Sequence, residues 1–150
     1  MIRSFVLAAA IATAAALPTV AEARRPTNPQ VDYAGFRKLT VKLNDYRARR
    51  LLDWDAWRAA GDRSGALILD ARSADAYARG HIKGAVNLPF TDFTAESLAA
   101  VIGPNRDRPI LIYCNNNFIN DKAPVPMKAV PLALNIQTFI NLYGYGYPNV

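Results

Sequence analysis

Short apolar blocks alternate with turn-forming residues along most of this chain, and the spacing inside each block points to its element. Ala66-Leu67-Ile68-Leu69, ending in Asp70, is a continuous apolar run of the kind that lies buried on both faces of a parallel sheet. Ala85-Val86-Asn87-Leu88, stopped by Pro89, and Pro109 to Tyr113 read as two further strands. Helix signals fall between them. Asp53 to Arg58 opens on acidic residues and stops at Gly61, while Ser73 to Arg79 has a serine cap, Asp75 in its first turn and Gly80 at its end. A third helix starts at Thr94-Ala95-Glu96-Ser97, runs to about Ile102 and closes at Gly103-Pro104. From about Met127 to Tyr143 the apolar spacing predicts a longer helix with Gly144 as its stop. Upstream, Leu39-Thr40-Val41-Lys42-Leu43 has the period-two pattern of a short strand, with a helical turn as the alternative. Strands that alternate with helices predict an α/β domain with a mostly parallel sheet flanked by helices.

The first residues have a different character. Arg3 supplies a charged start, Phe5 to Leu17 is apolar except for Thr13, and Ala21-Glu22-Ala23 is a small-x-small cleavage site, so residues 1–23 read as a signal peptide. The apolar stretch is shorter than the roughly 18 to 20 residues of a spanning helix. The expectation is therefore a periplasmic or secreted chain that starts at Arg24 and has no stable membrane anchor after cleavage. About 127 residues then remain, enough for one domain with one core. Charge singles out one segment: Arg24 to Arg50 holds eight basic residues against Asp32 and Asp45, whereas from Leu51 onward nine basic residues balance nine acidic ones. The net charge of +6 thus resides in residues 24–50, read as a basic N-terminal extension. Such a segment would attract anionic lipid, an acidic partner such as an envelope protein, or nucleic acid; a solvated basic face is the favoured reading, and with no stacking-aromatic pattern beside the charge nucleic acid is not expected.

Candidate chemistry centres on Cys114, the only cysteine, which stands where Ile110-Leu111-Ile112-Tyr113 breaks into Asn115-Asn116-Asn117. In parallel sheets reactive groups gather beyond the carboxyl ends of the strands, and both Asp70 and Cys114 hold such positions. Loop amides and a following helix N-terminus would favour a thiolate there, lowering its pKa below the roughly 8.5 of a free thiol. A small buried hydrophobe is the alternative reading of a lone cysteine. One cysteine makes no intrachain bridge, so in an oxidising compartment this thiol is shielded, reactive or paired with another molecule. His81, the only histidine, reads as a turn residue with local hydrogen bonds, and one His with one Cys is too few ligands for a zinc site.

Leu67-Ile68-Leu69-Asp70-Ala71-Arg72, followed by Tyr77-Ala78-Arg79-Gly80-His81-Ile82-Lys83-Gly84-Ala85-Val86-Asn87-Leu88-Pro89, resembles the paired signature of the rhodanese-like domain family. Ile110 to Cys114 resembles the family's active-site strand and cysteine, and Tyr143 to Val150 the stretch that leads into its last strand. The resemblance spans about Leu52 to Val150. It implies a sulfurtransferase in which Cys114 accepts sulfane sulfur as a persulfide and passes it to a thiol acceptor, with no cofactor and no metal. The donor would be a small sulfur-containing anion such as thiosulfate. A cradle of loop N–H groups would hold the anionic sulfur, with Asn115, Asn116, Asn117, Phe118 and Lys122 as the substrate-binding residues. Asp70 would orient the loop or its neighbours, and Arg72 would play a supporting, structural part.

The loop departs from the family's pattern. Cys114 to Pro124 contains neither glycine nor arginine, and its first cation is Lys122. Asparagine tolerates left-handed backbone, so the Asn run is a candidate for a nest of amides. Asn120 stands where the Cys-x5-Arg motif of the related dual-specificity phosphatases needs arginine, which disfavours phosphatase chemistry. The departures leave a second reading open, a catalytically weak rhodanese-fold binding module of the cell envelope. A third needs only an exposed thiol that forms mixed disulfides. Family domains typically continue past the equivalent of Val150, so the expectation is a chain that ends early or packs its edge differently.

Overall fold

The computed structural model describes residues 28–63, 65–118 and 126–150. The signal-peptide segment and Lys122 lie outside the described residues. The larger compact unit runs Asp32–Val150.

Three parallel strands, β1 (Leu67–Asp70), β2 (Val86–Asn87) and β3 (Ile110–Tyr113), form a sheet in the order β2-β1-β3. The helices are α1 (Tyr33–Ala48), α2 (Trp54–Gly61), α3 (Ala74–Arg79), α4 (Ala95–Ile102) and α5 (Leu134–Gly144). The chain is therefore an α/β domain with a parallel sheet flanked by helices. Leu67 and Leu69 of β1 enter the main core with Phe93, Leu98, Ile110 and Leu142. Residues of opposite parity face the other side, where α2 packs: a Cβ on Gly61 would meet Ile68 Cδ1 at 3.3 Å and Leu111 Cδ1 at 3.4 Å, so the helix lies close to the sheet because that side chain is absent. Asp70 and Tyr113 share this face and sit opposite each other in register.

Caps set most of the helix boundaries. Asp53, Ser73 and Thr94 accept hydrogen bonds from the backbone N–H of Ala56, Ala76 and Ser97, each satisfying one orphan amide of the first turn. Two elements differ from the sequence expectation. Leu39 to Leu43 is helical, as part of α1, because over five residues a period of two and a period of 3.6 both place Leu39 and Leu43 on one side. The wider spacing of Phe36, Leu39, Leu43 and Tyr46 decides the matter, leaving Val41 73 % exposed and Leu43 2 % exposed. The last helix begins at Leu134 rather than near Met127, since Pro131 has no N–H to donate and Val130–Leu132 instead forms a 3-10 turn. The left-handed residue beyond α5 is Gly146, at φ +87°, and not Gly144.

From Asp32 onward the basic stretch enters the fold as α1. Leu43 packs with Phe139 and Ile140 of α5, while Tyr46 Oη donates to Pro148 O at 2.8 Å and Arg50 Nη1 to Asn149 Oδ1 at 2.7 Å. Asn149 O in turn accepts from Ile110 N at 2.8 Å, which ties the C-terminal residues to the start of β3. The strand that leads to the thiol is thus braced by Asn149, which Arg50 holds in turn.

Candidate active site

Register brings the candidate residues together. Asp70 pairs with Asn87 on one side and with Tyr113 on the other, so the ends of all three strands meet around the Asp70 carboxylate, one residue short of Cys114. Asp70 is fully buried and Arg72 is 5 % exposed. Arg72 Nε donates to Asp70 Oδ1 at 2.9 Å, Nη2 donates to Oδ2 at 2.6 Å, and the Arg72 backbone N–H reaches Oδ1 at 3.0 Å. The Tyr113 hydroxyl also donates to Asp70 Oδ2, and it accepts from Ile82 N at 3.2 Å.

The guanidinium has two further duties. Nη2 donates to Gly80 O at 2.7 Å, which fixes the end of α3, and Nη1 donates to Asn115 Oδ1 at 3.2 Å, which reaches the turn after Cys114. Burial raises the Asp70 carboxyl pKa, but hydrogen bonds from Arg72 and Tyr113 and the Arg72 charge outweigh it, holding the group below its ordinary value. The Arg72 hydrogen bond to Asp70 raises the guanidinium in turn, against the effect of burial. Burial, then the hydrogen bond to Asp70, pushes the Tyr113 phenol up to about 12. An ionised, fully engaged carboxylate is an anchor for these groups and has no capacity left to act as a general base.

Cys114 ends β3 in extended backbone and caps a 3-10 turn, Asn115–Asn117. The Asn117 backbone N–H donates to Cys114 O at 3.0 Å, and the Cys114 N–H donates to Asn117 Oδ1 at 2.8 Å. Asn135 Nδ2 donates to the same oxygen at 2.7 Å, linking α5 to the turn. The Asn115 amide donates to Pro126 O at 3.0 Å, and Asn116 clasps Lys128 through two bonds, Nδ2 to O at 2.8 Å and N to Oδ1 at 3.1 Å. The side chains of Asn115 and Asn116 hold the two limbs of the loop together, and that of Asn117 ties the turn to α5. No non-glycine residue among those described has positive φ, so Asn115–Asn117 form a right-handed turn and not a left-handed nest.

Cys114 is 1 % exposed, yet it lines a cleft of about 440 Å³ with Arg72, Ser73, Asn116, Met127 and Lys128. Lys128 and Arg72 are the cations of that cleft among the described residues. Phe118 points elsewhere, its ring set edgewise to Tyr113 with centroids 6.0 Å apart. His81 is taken up by α3: Nδ1 lies 2.9 Å from Tyr77 O and the two rings stack at 3.8 Å. Sequence reasoning missed Tyr113, Lys128 and Asn135. Tyr113 carried a signal, a hydroxyl directly before the cysteine in an otherwise aliphatic strand, but the partners of the other two are set by tertiary packing alone.

A parallel α/β sheet with a lone thiol and a buried Asp–Arg pair beyond its strand ends defines the class of protein. The family model described as Rhodanese-like domain matches residues 53–149, and the chain belongs to that family, whose fold is sulfurtransferase-related. Comparison with curated proteins gives no match.

Proposed function

We propose that this protein is a sulfurtransferase that carries sulfane sulfur as a persulfide on Cys114. The observation that carries the reading is the position of the thiol, directly after β3 and lining a cleft that also holds Arg72 and Lys128. The Cys114 thiolate attacks the outer sulfur of a donor such as thiosulfate; the new S–S bond forms as the donor's S–S bond breaks, and sulfite leaves with the bonding pair. An acceptor thiolate then attacks the terminal sulfur, and Cys114 departs as the thiolate it was at the start. Lys128 in the cleft favours an anionic donor, the charge of Arg72 being held by the Asp70 carboxylate. Neither metal nor cofactor enters the cycle. Supplied with thiosulfate and a low-molecular-weight thiol, the protein should release sulfite catalytically and the Cys114→Ser variant should not. Equal rates in the two proteins would end the proposal.

A second reading, a rhodanese-fold binding module with weak chemistry, draws support from the 1 % exposure of Cys114 and from the commitment of the Asn115–Asn117 side chains to the loop itself. On this reading the exposed cations Arg37, Lys38 and Arg49 of the N-terminal helix and its cap face an acidic envelope protein. Reversing those three charges, which leaves Leu43 in the core, should abolish capture of an acidic partner; deleting the helix would not distinguish binding from folding. Export to the periplasm or beyond is part of both readings and rests on residues 1–23. A reporter enzyme active only outside the cytoplasm, fused after Arg24, should be active with that leader and inactive without it.

A further inference from the structure

We propose that the trough between α2 and the residues following β3 is a second ligand site, one that takes a small organic cation: an alkylated ammonium head on an apolar body. The Tyr113 ring stands perpendicular to two others, Trp57 at 87° and 6.3 Å and Phe118 at 86° and 6.0 Å between centroids, so three aromatic groups enclose one space. Trp54 stacks on Trp57 at 5.6 Å and 12°, extending that wall, and remains 58 % exposed. The cavity measures about 690 Å³, and Leu52 and Ile82 add to its apolar lining.

Charge selects among the apolar ligands that such a space admits. Asp53 is the only charged residue among the described residues of the lining, in a chain of net charge +6. Asp53 Oδ1 caps α2 through Ala56 N at 2.8 Å, and the positive helix end offsets about half of its charge. Asp55 is matched by Arg58 at 3.4 Å, so the trough keeps a negative sign. Aromatic faces attract cations through the ring quadrupole, as the Tyr113 ring does the Arg72 guanidinium at 5.2 Å, and aromatic walls beside one carboxylate suit a quaternary ammonium group. The volume exceeds what a bare tetramethylammonium head fills, which calls for the apolar body. The thiol cleft shares no lining residue with this trough and carries the opposite charge, from Lys128, Arg72 being paired with Asp70. The two sites therefore take different ligands.

Trp54 and Trp57 are the only tryptophans in the chain, so intrinsic fluorescence reports on this trough. The purified protein is titrated at constant ionic strength with choline, with its neutral carbon isostere 3,3-dimethylbutan-1-ol, and with benzyltrimethylammonium; calorimetry checks each titration. Choline should bind about ten-fold more tightly than the neutral isostere, and benzyltrimethylammonium more tightly again. Asp53→Asn preserves an N-cap residue, and it should weaken both cations by about three-fold or more while leaving the alcohol unchanged. Equal affinity for choline and its isostere, an Asp53→Asn protein that binds choline as the wild type does, or no saturable binding of any of the three would each overturn the proposal.

Discussion

Replacing Asp70 by Asn tests whether the buried pair holds the site together. Asparagine matches aspartate in volume, so packing is preserved and the perturbation is electrostatic. The Arg72 guanidinium, 5 % exposed, loses its counter-ion and meets an amide N–H₂ or a single carbonyl where it had two anionic oxygens at 2.6 to 3.1 Å. Leaving one partner of a buried ion pair uncompensated costs about 3–5 kcal/mol, a large part of the roughly 5–15 kcal/mol that stabilises a domain of this size. With a urea m-value of about 2 kcal/mol per M, the unfolding midpoint should fall by roughly 2 M. Adding Arg72→Met should recover part of the loss, because the stranded charge is gone, and the double-mutant cycle should give a coupling of about 2 kcal/mol. The pH dependence follows from the lowered Asp70 pKa. Its stabilisation is complete above the unfolded carboxyl value near 4 and is lost as pH falls through the lower folded value, so the gap between wild type and Asp70→Asn should be constant from about pH 5 to 9 and narrow in stronger acid. A loss below about 1 kcal/mol, or strict additivity with Arg72→Met, would refute the anchoring role.

Two further outcomes follow from the hydrogen bonds on either side of Cys114. Tyr113, with its phenol pushed up to about 12, favours the folded state fully below pH 10 and loses that contribution as pH rises from 10 to 12; wild type should shed about 2–3 kcal/mol over that window relative to Tyr113→Phe in urea melts, and parallel curves would contradict the assignment. Asn116→Ala removes both bonds to Lys128, and iodoacetamide should then alkylate Cys114 about ten-fold faster with global stability changed by less than about 1 kcal/mol; an unchanged rate would show that the clasp does not control access.

The sheet was legible because its signals are local. A four-residue apolar run such as Ala66–Leu69 has few other uses, and the Ser73, Asp53 and Thr94 caps mark helix starts at single-residue resolution. Where two periods coincide, as at Leu39 to Leu43, a short window carries no decision, and the wider spacing of Phe36, Leu39, Leu43 and Tyr46 supplies it, with Leu43 buried against Phe139 and Ile140. The location of the thiol was legible for the same reason that β3 was. The disposition of the loop was not, because the asparagines at 115 to 117 are satisfied by Arg72, Lys128, Pro126 and Asn135, residues brought in by folding from positions 11 to 43 away in sequence. Asparagine offers donors and acceptors equally, and sequence alone does not say whether a ligand or the backbone will use them.

Persulfide formation on Cys114 is the step on which the proposed function depends, and intact-mass spectrometry after exposure to thiosulfate and to an organic persulfide reads it directly. The account predicts a gain of about 32 Da, one sulfur atom, that maps to Cys114, is removed by a thiol acceptor and is absent from Cys114→Ala. No adduct from either donor, on a protein whose Cys114 reacts with iodoacetamide, would contradict it.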